Sequence, residues 1–119
     1  SPDAHPPVIA ATKAAGLLSY PGVFTASEAF AAWRAGADGL KLFPASLMGL
    51  SGFTALRAVL PPALPCFAVG GIGAEAFAEW RAAGIAGFGL GSVLYAPGRA
   101  AADVGHLAQE IVAAFDAAG

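Results

Sequence analysis

Apolar positions along the chain fall in short continuous runs rather than in strict alternation. The runs are Gly16-Leu17-Leu18-Ser19-Tyr20, Gly39 to Phe43, Cys66 to Val69 and Gly87 to Gly91. They recur at intervals of roughly 20 to 27 residues, each followed by a stretch with helical spacing, which is the period of βα units. Unbroken apolar runs predict strands covered on both faces, as a parallel sheet requires. Thr25 and Glu28 stand at capping-box spacing and predict a helix running through Phe30 and Trp33 to Gly36. Further helices are predicted from about Ser51 to Leu60, ended by Pro61-Pro62, and from about Ala74 to Ala83, stopped by Gly84. The last, about Ala100 to Ala118, sets Val104, Leu107, Ile111 and Phe115 at helical spacing. Residues Pro7 to Ala15 predict one more helix ahead of the first strand, and Ser1-Pro2-Asp3 reads as a strand end turning into it. The pattern is that of the second half of an eight-unit β/α barrel.

One residue breaks the apolar pattern. Lys41 lies inside Gly39-Leu40-Lys41-Leu42-Phe43-Pro44, and Lys13 is the only other lysine. An ammonium in a buried strand is costly unless it is paired or loses its proton, and desolvation turns such an amine into a nucleophile. Strand alternation puts Gly39, Lys41 and Phe43 on one face and Leu40 and Leu42 on the other. With the leucines under the helices, Lys41 points into the barrel, where Gly39 leaves room for its side chain to rise towards the C-terminal mouth. The competing reading is a strand-edge lysine reaching solvent. Lys13, among Ala10, Ala11, Ala14 and Ala15, reads as an ordinary solvated lysine.

Two later strands end in glycines. Val69-Gly70-Gly71-Ile72 and Gly89-Leu90-Gly91-Ser92 each follow a strand, and consecutive βα loops of this kind near the end of a barrel form that fold's recurrent phosphate site. Ser92 would add a hydroxyl donor; plain tight turns are the alternative. A nucleophilic lysine with a phosphate cradle points to a sugar-phosphate aldolase. Ser46, Met48 and Ser51 fall in a segment that could be an active-site loop, since it follows a strand C-terminus. Phe43 shares the lysine's strand face and is the phenylalanine best placed to touch substrate. Glu28, Glu75 and Glu79 fall in first helical turns and read as helix support. Asp38 lies at the far end from the mouth, and no carboxylate reads as a general base. His5 and His106 read as surface or capping residues, with no partner at metal-ligand spacing, so no metal is expected.

Composition narrows the function classes. The chain has 119 residues and a net charge of −2, with no basic surplus for nucleic acid. Charged residues make up 12%, about half the usual share, so a partner interface or further sequence of the same polypeptide is expected to cover apolar surface. The single cysteine, Cys66, reads as a buried thiol. Neither a membrane span nor a signal-peptide pattern is read, and a cytoplasmic location is expected.

Lys41-Leu42-Phe43-Pro44-Ala45, Phe67-Ala68-Val69-Gly70-Gly71-Ile72 and Gly89-Leu90-Gly91-Ser92, with Tyr20-Pro21-Gly22 upstream, closely resemble the C-terminal half of the KDPG/KDPGal class I aldolases. The resemblance runs in order along essentially the whole chain. It implies a TIM (β/α)8 barrel of the α/β class, with residues 1–119 forming the C-terminal part of its single domain and holding the last four strands. It also implies that Lys41 forms the Schiff base, that Gly70, Gly71, Gly91 and Ser92 hold the phosphate, and that Phe43, Val69 and Pro21 line the substrate pocket. Val69 stands where the gluconate enzymes usually carry threonine, which favours the galactonate substrate. The implied ligands are a sugar-acid phosphate and pyruvate, with no cofactor and a homotrimeric assembly. The family's proton-relaying glutamate and carboxylate-binding arginine belong to its N-terminal half. A gluconate-specific aldolase, a non-catalytic phosphate-binding half-barrel and a relative of thiamin-phosphate synthase stay open as alternatives.

Overall fold

The computed structural model describes residues 1–119. Helix α1 (Pro6–Ala14) is followed by β1 (Gly22–Val23), α2 (Ala26–Arg34), β2 (Leu40–Leu42), α3 (Ala45–Arg57), β3 (Cys66–Val69), a 3-10 turn (Ala74–Ala76) leading into α4 (Phe77–Ala82), β4 (Gly87–Gly89) and α5 (Ala101–Ala117). The four strands form one parallel sheet in sequential order, as in one half of an eight-stranded barrel. The register pairs Lys41 with Gly22 on one side and Phe67 on the other, and Phe67 with Gly87. All the loops that leave strand C-termini therefore open on the same edge of the sheet.

The helix-facing side of the sheet is the core. Leu40, Leu42 and Ala68 are wholly buried, and they pack with Ala29, Ala32 and Phe53 in one cluster. Burial of each leucine contributes about 1.5–3 kcal/mol, which holds the alternate residues of β2 on the opposite face. Phe53 of α3 stacks on Trp80 of α4 at 5.5 Å, tying two neighbouring βα units together. Arg57 closes the α3-to-β3 connection: its guanidinium donates to the Leu64 carbonyl at 2.7 Å, to Leu60 at 3.2 Å and to Pro61. Helix α5 has no buried residue. Its half-buried apolar stripe and β4 bound an open groove of about 460 Å³ lined by Phe88, Leu94, Ile111 and Phe115. No helix is long and apolar enough to cross a membrane.

Apart from α3, the helices match their sequence signals closely, and α2 carries the full capping box. The Thr25 hydroxyl accepts from the Glu28 amide, and the Glu28 carboxylate accepts from the Thr25 and Phe24 amides at 2.9 and 2.8 Å. Those amides hold the Glu28 carboxyl below the usual carboxylate range.

Three expectations are corrected. The first strand is Gly22–Val23, not Gly16 to Tyr20. Gly16 has φ +73°, and the Leu17 amide donates back to the Thr12 carbonyl, so this apolar pair caps α1 and stays 60% and 65% exposed. The segment after β2 is helical at once rather than a long loop. The Pro44 carbonyl accepts the Leu47 and Met48 amides, Gly49 (φ 67°, ψ 170°) breaks the turn, and the helix resumes to Arg57. Lys13 is not simply solvated. Its Nζ lies 2.8 and 2.7 Å from the two carboxylate oxygens of Asp38 and 3.1 Å from the Leu17 carbonyl, tying α1 to the turn before β2.

Candidate active site

Lys41 is half-buried on the face of β2 opposite the buried leucines. It lines an open cavity of about 420 Å³ with Tyr20, Phe67, Val69, Phe88 and Gly89. Neither ion pair of the chain involves it. Its Nζ instead lies 4.7 Å from the centroid of the Phe43 ring, within the range where an aromatic face attracts a cation.

Phe43 leads on to the first glycine loop. A Cβ at Gly70 would come within 3.2 Å of the Phe43 ring, and a Cβ at Gly71 within 2.6 Å of Ser46 Oγ. Gly70 and Gly71 also have φ +94° and +71°, so neither position admits a side chain. The Ser46 amide donates to the Gly70 carbonyl at 3.0 Å, which seats the first turn of α3 against this loop. The amides of Gly70, Gly71, Ile72 and Gly73 donate to no group of the chain, and the same holds for Gly91 and Ser92. Such free donors suit an oxyanion. The Glu75 carboxylate folds back over Gly73 and sets a negative charge at the edge of the same loop.

The loop after β4 is held from behind. Leu94 and Tyr95 donate to the Gly91 carbonyl, and Arg99 donates to the carbonyls of Val93 and Leu94 at 3.0 and 2.6 Å, leaving Ser92 exposed.

Of the residues expected at a site, Lys41 and Val69 line the cavity, Phe43 adjoins Lys41, and the two glycine loops follow β3 and β4. Pro21 is not brought to it. It is fully buried, because alternation turns Gly22 towards Lys41 and the proline away. The space at Gly39 is taken by Tyr20, whose ring would lie 2.8 Å from a Cβ there, rather than by the lysine. Tyr20 packs edge-on against Phe67 at 5.4 Å, and both line the cavity with Lys41. The glycine at 39 signals a close approach by something bulky, but the identity of Tyr20 and the register that sets Phe67 beside Lys41 come from the sheet. Ser46 was legible only as part of a loop that is in fact helical.

Cys66 is buried facing the helices, and burial pushes its thiol up while the nearby Arg57 opposes.

No protein-family model matches the chain. A probable 2-dehydro-3-deoxy-6-phosphogalactonate aldolase of Rhizobium meliloti (strain 1021) is 53% identical over 117 residues, 98% of this chain and 55% of that protein. The 2-dehydro-3-deoxy-6-phosphogalactonate aldolase of Escherichia coli (strain K12) is 44% identical over 115 residues, 97% of this chain and 56% of that protein. A solved structure of native KDPGal superposes with a TM-score of 0.96 at 43% identity, covering 99% of this chain and 57% of its own. In sequence and in fold alike, the chain resembles the 2-dehydro-3-deoxy-6-phosphogalactonate aldolases along its whole length, and it spans about half the length of these curated relatives.

Proposed function

We propose that residues 1–119 are the C-terminal part of a single (β/α)8 domain that cleaves 2-dehydro-3-deoxy-6-phosphogalactonate by Schiff-base chemistry at Lys41. The observation that carries this reading is an amine on the inner sheet face with no carboxylate partner, lying against Phe43, whose ring abuts the Gly70-Gly71 loop. Nucleophile, aromatic wall and oxyanion donors thus come from consecutive βα units that open on one edge of the sheet.

In this reading the Lys41 amine adds to the C2 ketone, and the carbinolamine loses water to give an iminium. A base removes the C4 hydroxyl proton, the C3–C4 bond breaks, and its electron pair moves into the iminium to leave an enamine. Glyceraldehyde 3-phosphate departs. The enamine takes a proton at C3, and water releases pyruvate and the free amine. The Phe43 face stabilises the cationic iminium. Free amides of the Gly70-Gly71 and Gly91-Ser92 loops, with the Ser92 hydroxyl, hold the phosphate. Val69 presents a methyl where a hydroxyl would otherwise meet the substrate, which supports the galactonate over the gluconate epimer. The base is assigned to a glutamate in the N-terminal half of the barrel, as the family resemblance implies. The reaction needs no metal or organic cofactor, because the iminium is the electron sink. A homotrimer in the cytoplasm completes the reading and rests on the family resemblance alone.

Incubation with pyruvate and borohydride, followed by intact mass spectrometry and peptide mapping, tests the proposal on the longest natural polypeptide that carries this sequence. A reduced pyruvyl adduct on Lys41 is expected. Its absence there would remove the aldolase reading.

A further inference from the structure

We infer that Ser46 is a further substrate-binding residue, its hydroxyl donating to the phosphate held by the Gly70-Gly71 loop; the inference rests on the aldolase reading of this site. Ser46 is exposed at the mouth. Its backbone is locked to the loop, since its amide donates to the Gly70 carbonyl at 3.0 Å. Its side chain lies over Gly71 so closely that a Cβ there would fall 2.6 Å from Oγ and 2.7 Å from Cβ of the serine. The hydroxyl has no hydrogen-bond partner within the chain, although it stands beside the row of amides that likewise have none.

Two features of this arrangement point to a ligand contact rather than to packing. Packing over Gly71 needs only the serine Cβ, which an alanine would supply equally well. A local structural role for the hydroxyl would be a bond to the carbonyl three or four residues back, as Thr54 makes to Leu50 at 2.8 Å in the same helix. Ser46 makes no such bond. Its Oγ therefore extends the line of donors from the loop after β3 across to the first turn of α3. A phosphate seated on the loop amides would meet this hydroxyl at its edge, and Ser92 would meet it from the neighbouring loop. A dianion accepts several such donors at once.

The test compares wild type with Ser46→Ala in aldol addition of pyruvate to glyceraldehyde 3-phosphate and to unphosphorylated glyceraldehyde. Loss of one hydroxyl donor to a charged group should raise KM for the phosphorylated aldehyde about tenfold. The rate with the unphosphorylated aldehyde should not change. The reduced pyruvyl adduct on Lys41 should form as in wild type, which also establishes that the variant is folded. An equal loss with both aldehydes, or no change with either, would overturn the inference. If wild type forms no pyruvyl adduct, the aldolase reading fails on its own, and titration with inorganic phosphate decides about Ser46: weaker binding by Ser46→Ala upholds the hydroxyl contact, and equal binding overturns it.

Discussion

The Lys41 ammonium lies over the ring of Phe43, 4.7 Å from its centroid, two residues further along the same strand face. The same ring lies against Gly70, where a Cβ would come within 3.2 Å of it, so Phe43 links the lysine to the glycine loop. In the proposed chemistry Phe43 acts on the charge at Lys41 when the nitrogen is cationic, as in the iminium. Replacing it with leucine keeps apolar volume and removes the aromatic face. A contribution of about 1–2 kcal/mol from such a contact predicts that Phe43→Leu slows borohydride trapping of the pyruvyl adduct by about tenfold, while Phe43→Tyr retains the wild-type rate. Equal rates for all three proteins would detach the ring from the chemistry.

Glu75 sets a carboxylate close to Gly73, at the edge of the loop proposed to hold the phosphate. Removing that charge while keeping the shape should tighten binding, so Glu75→Gln is expected to lower the inhibition constant of inorganic phosphate several-fold. The effect should shrink as salt is added, because screening already weakens the repulsion. Weaker inhibition by phosphate in the variant would mean that Glu75 orders the loop instead.

The capping box of α2 predicts a stability change remote from the site. Thr25→Ala removes the acceptor for the Glu28 amide and should cost about 1 kcal/mol, read as a lower thermal midpoint with unchanged adduct formation on Lys41.

Acid should undo two local ties. Asp38 is held below the usual carboxylate range by its bond to Lys13 and then by the Ser19 amide, and Glu28 by the Phe24 and Thr25 amides. A depressed folded-state value means the stabilisation is complete above the unfolded carboxylate value of about 4 and is lost as pH falls through the lower folded value. Unfolding by denaturant should therefore show the stability gap between wild type and Asp38→Asn at neutral pH, and the gap should close at the acid end. A gap that persisted there would show that charge is not its cause.

The thiol of Cys66 offers a probe of integrity. Buried under the helices and pushed up by desolvation, it should resist iodoacetamide at pH 8 in the native protein and react fully in denaturant. Prompt alkylation under native conditions would mean that the α3 side of the sheet opens readily.

The parts legible in the sequence were those governed by local rules. Strand β3 falls on Cys66 to Val69 as its apolar run predicts, and the capping box starts α2 where Thr25 and Glu28 place it. The leucine and lysine alternation in β2 reads directly as buried and open faces. What was not legible depended on one helix exit and on contacts between elements. Leu17 and Leu18 look like strand residues, yet a backbone bond to α1 commits them to a helix exit. Gly39 reads as room for Lys41 until Tyr20, from the preceding βα unit, is seen to fill it. Lys13 finds Asp38 only through the docking of α1 beside β2. The last two misses are tertiary partners that no local window contains, whereas the first is a helix cap set by Gly16 at positive φ.

The pairing of Lys41 with Phe67 has a consequence for length discrimination. The Gly70-Gly71 amides begin three residues beyond Phe67, so the β2–β3 register sets the height of the proposed phosphate cradle above the lysine row at about 10 Å of strand rise. A slip of one residue would not merely shift that distance; it would turn Lys41 to the helix side. The sheet therefore serves as a ruler with a single allowed graduation, and a ligand that is to reach both the amine and the cradle must match it in number of carbons.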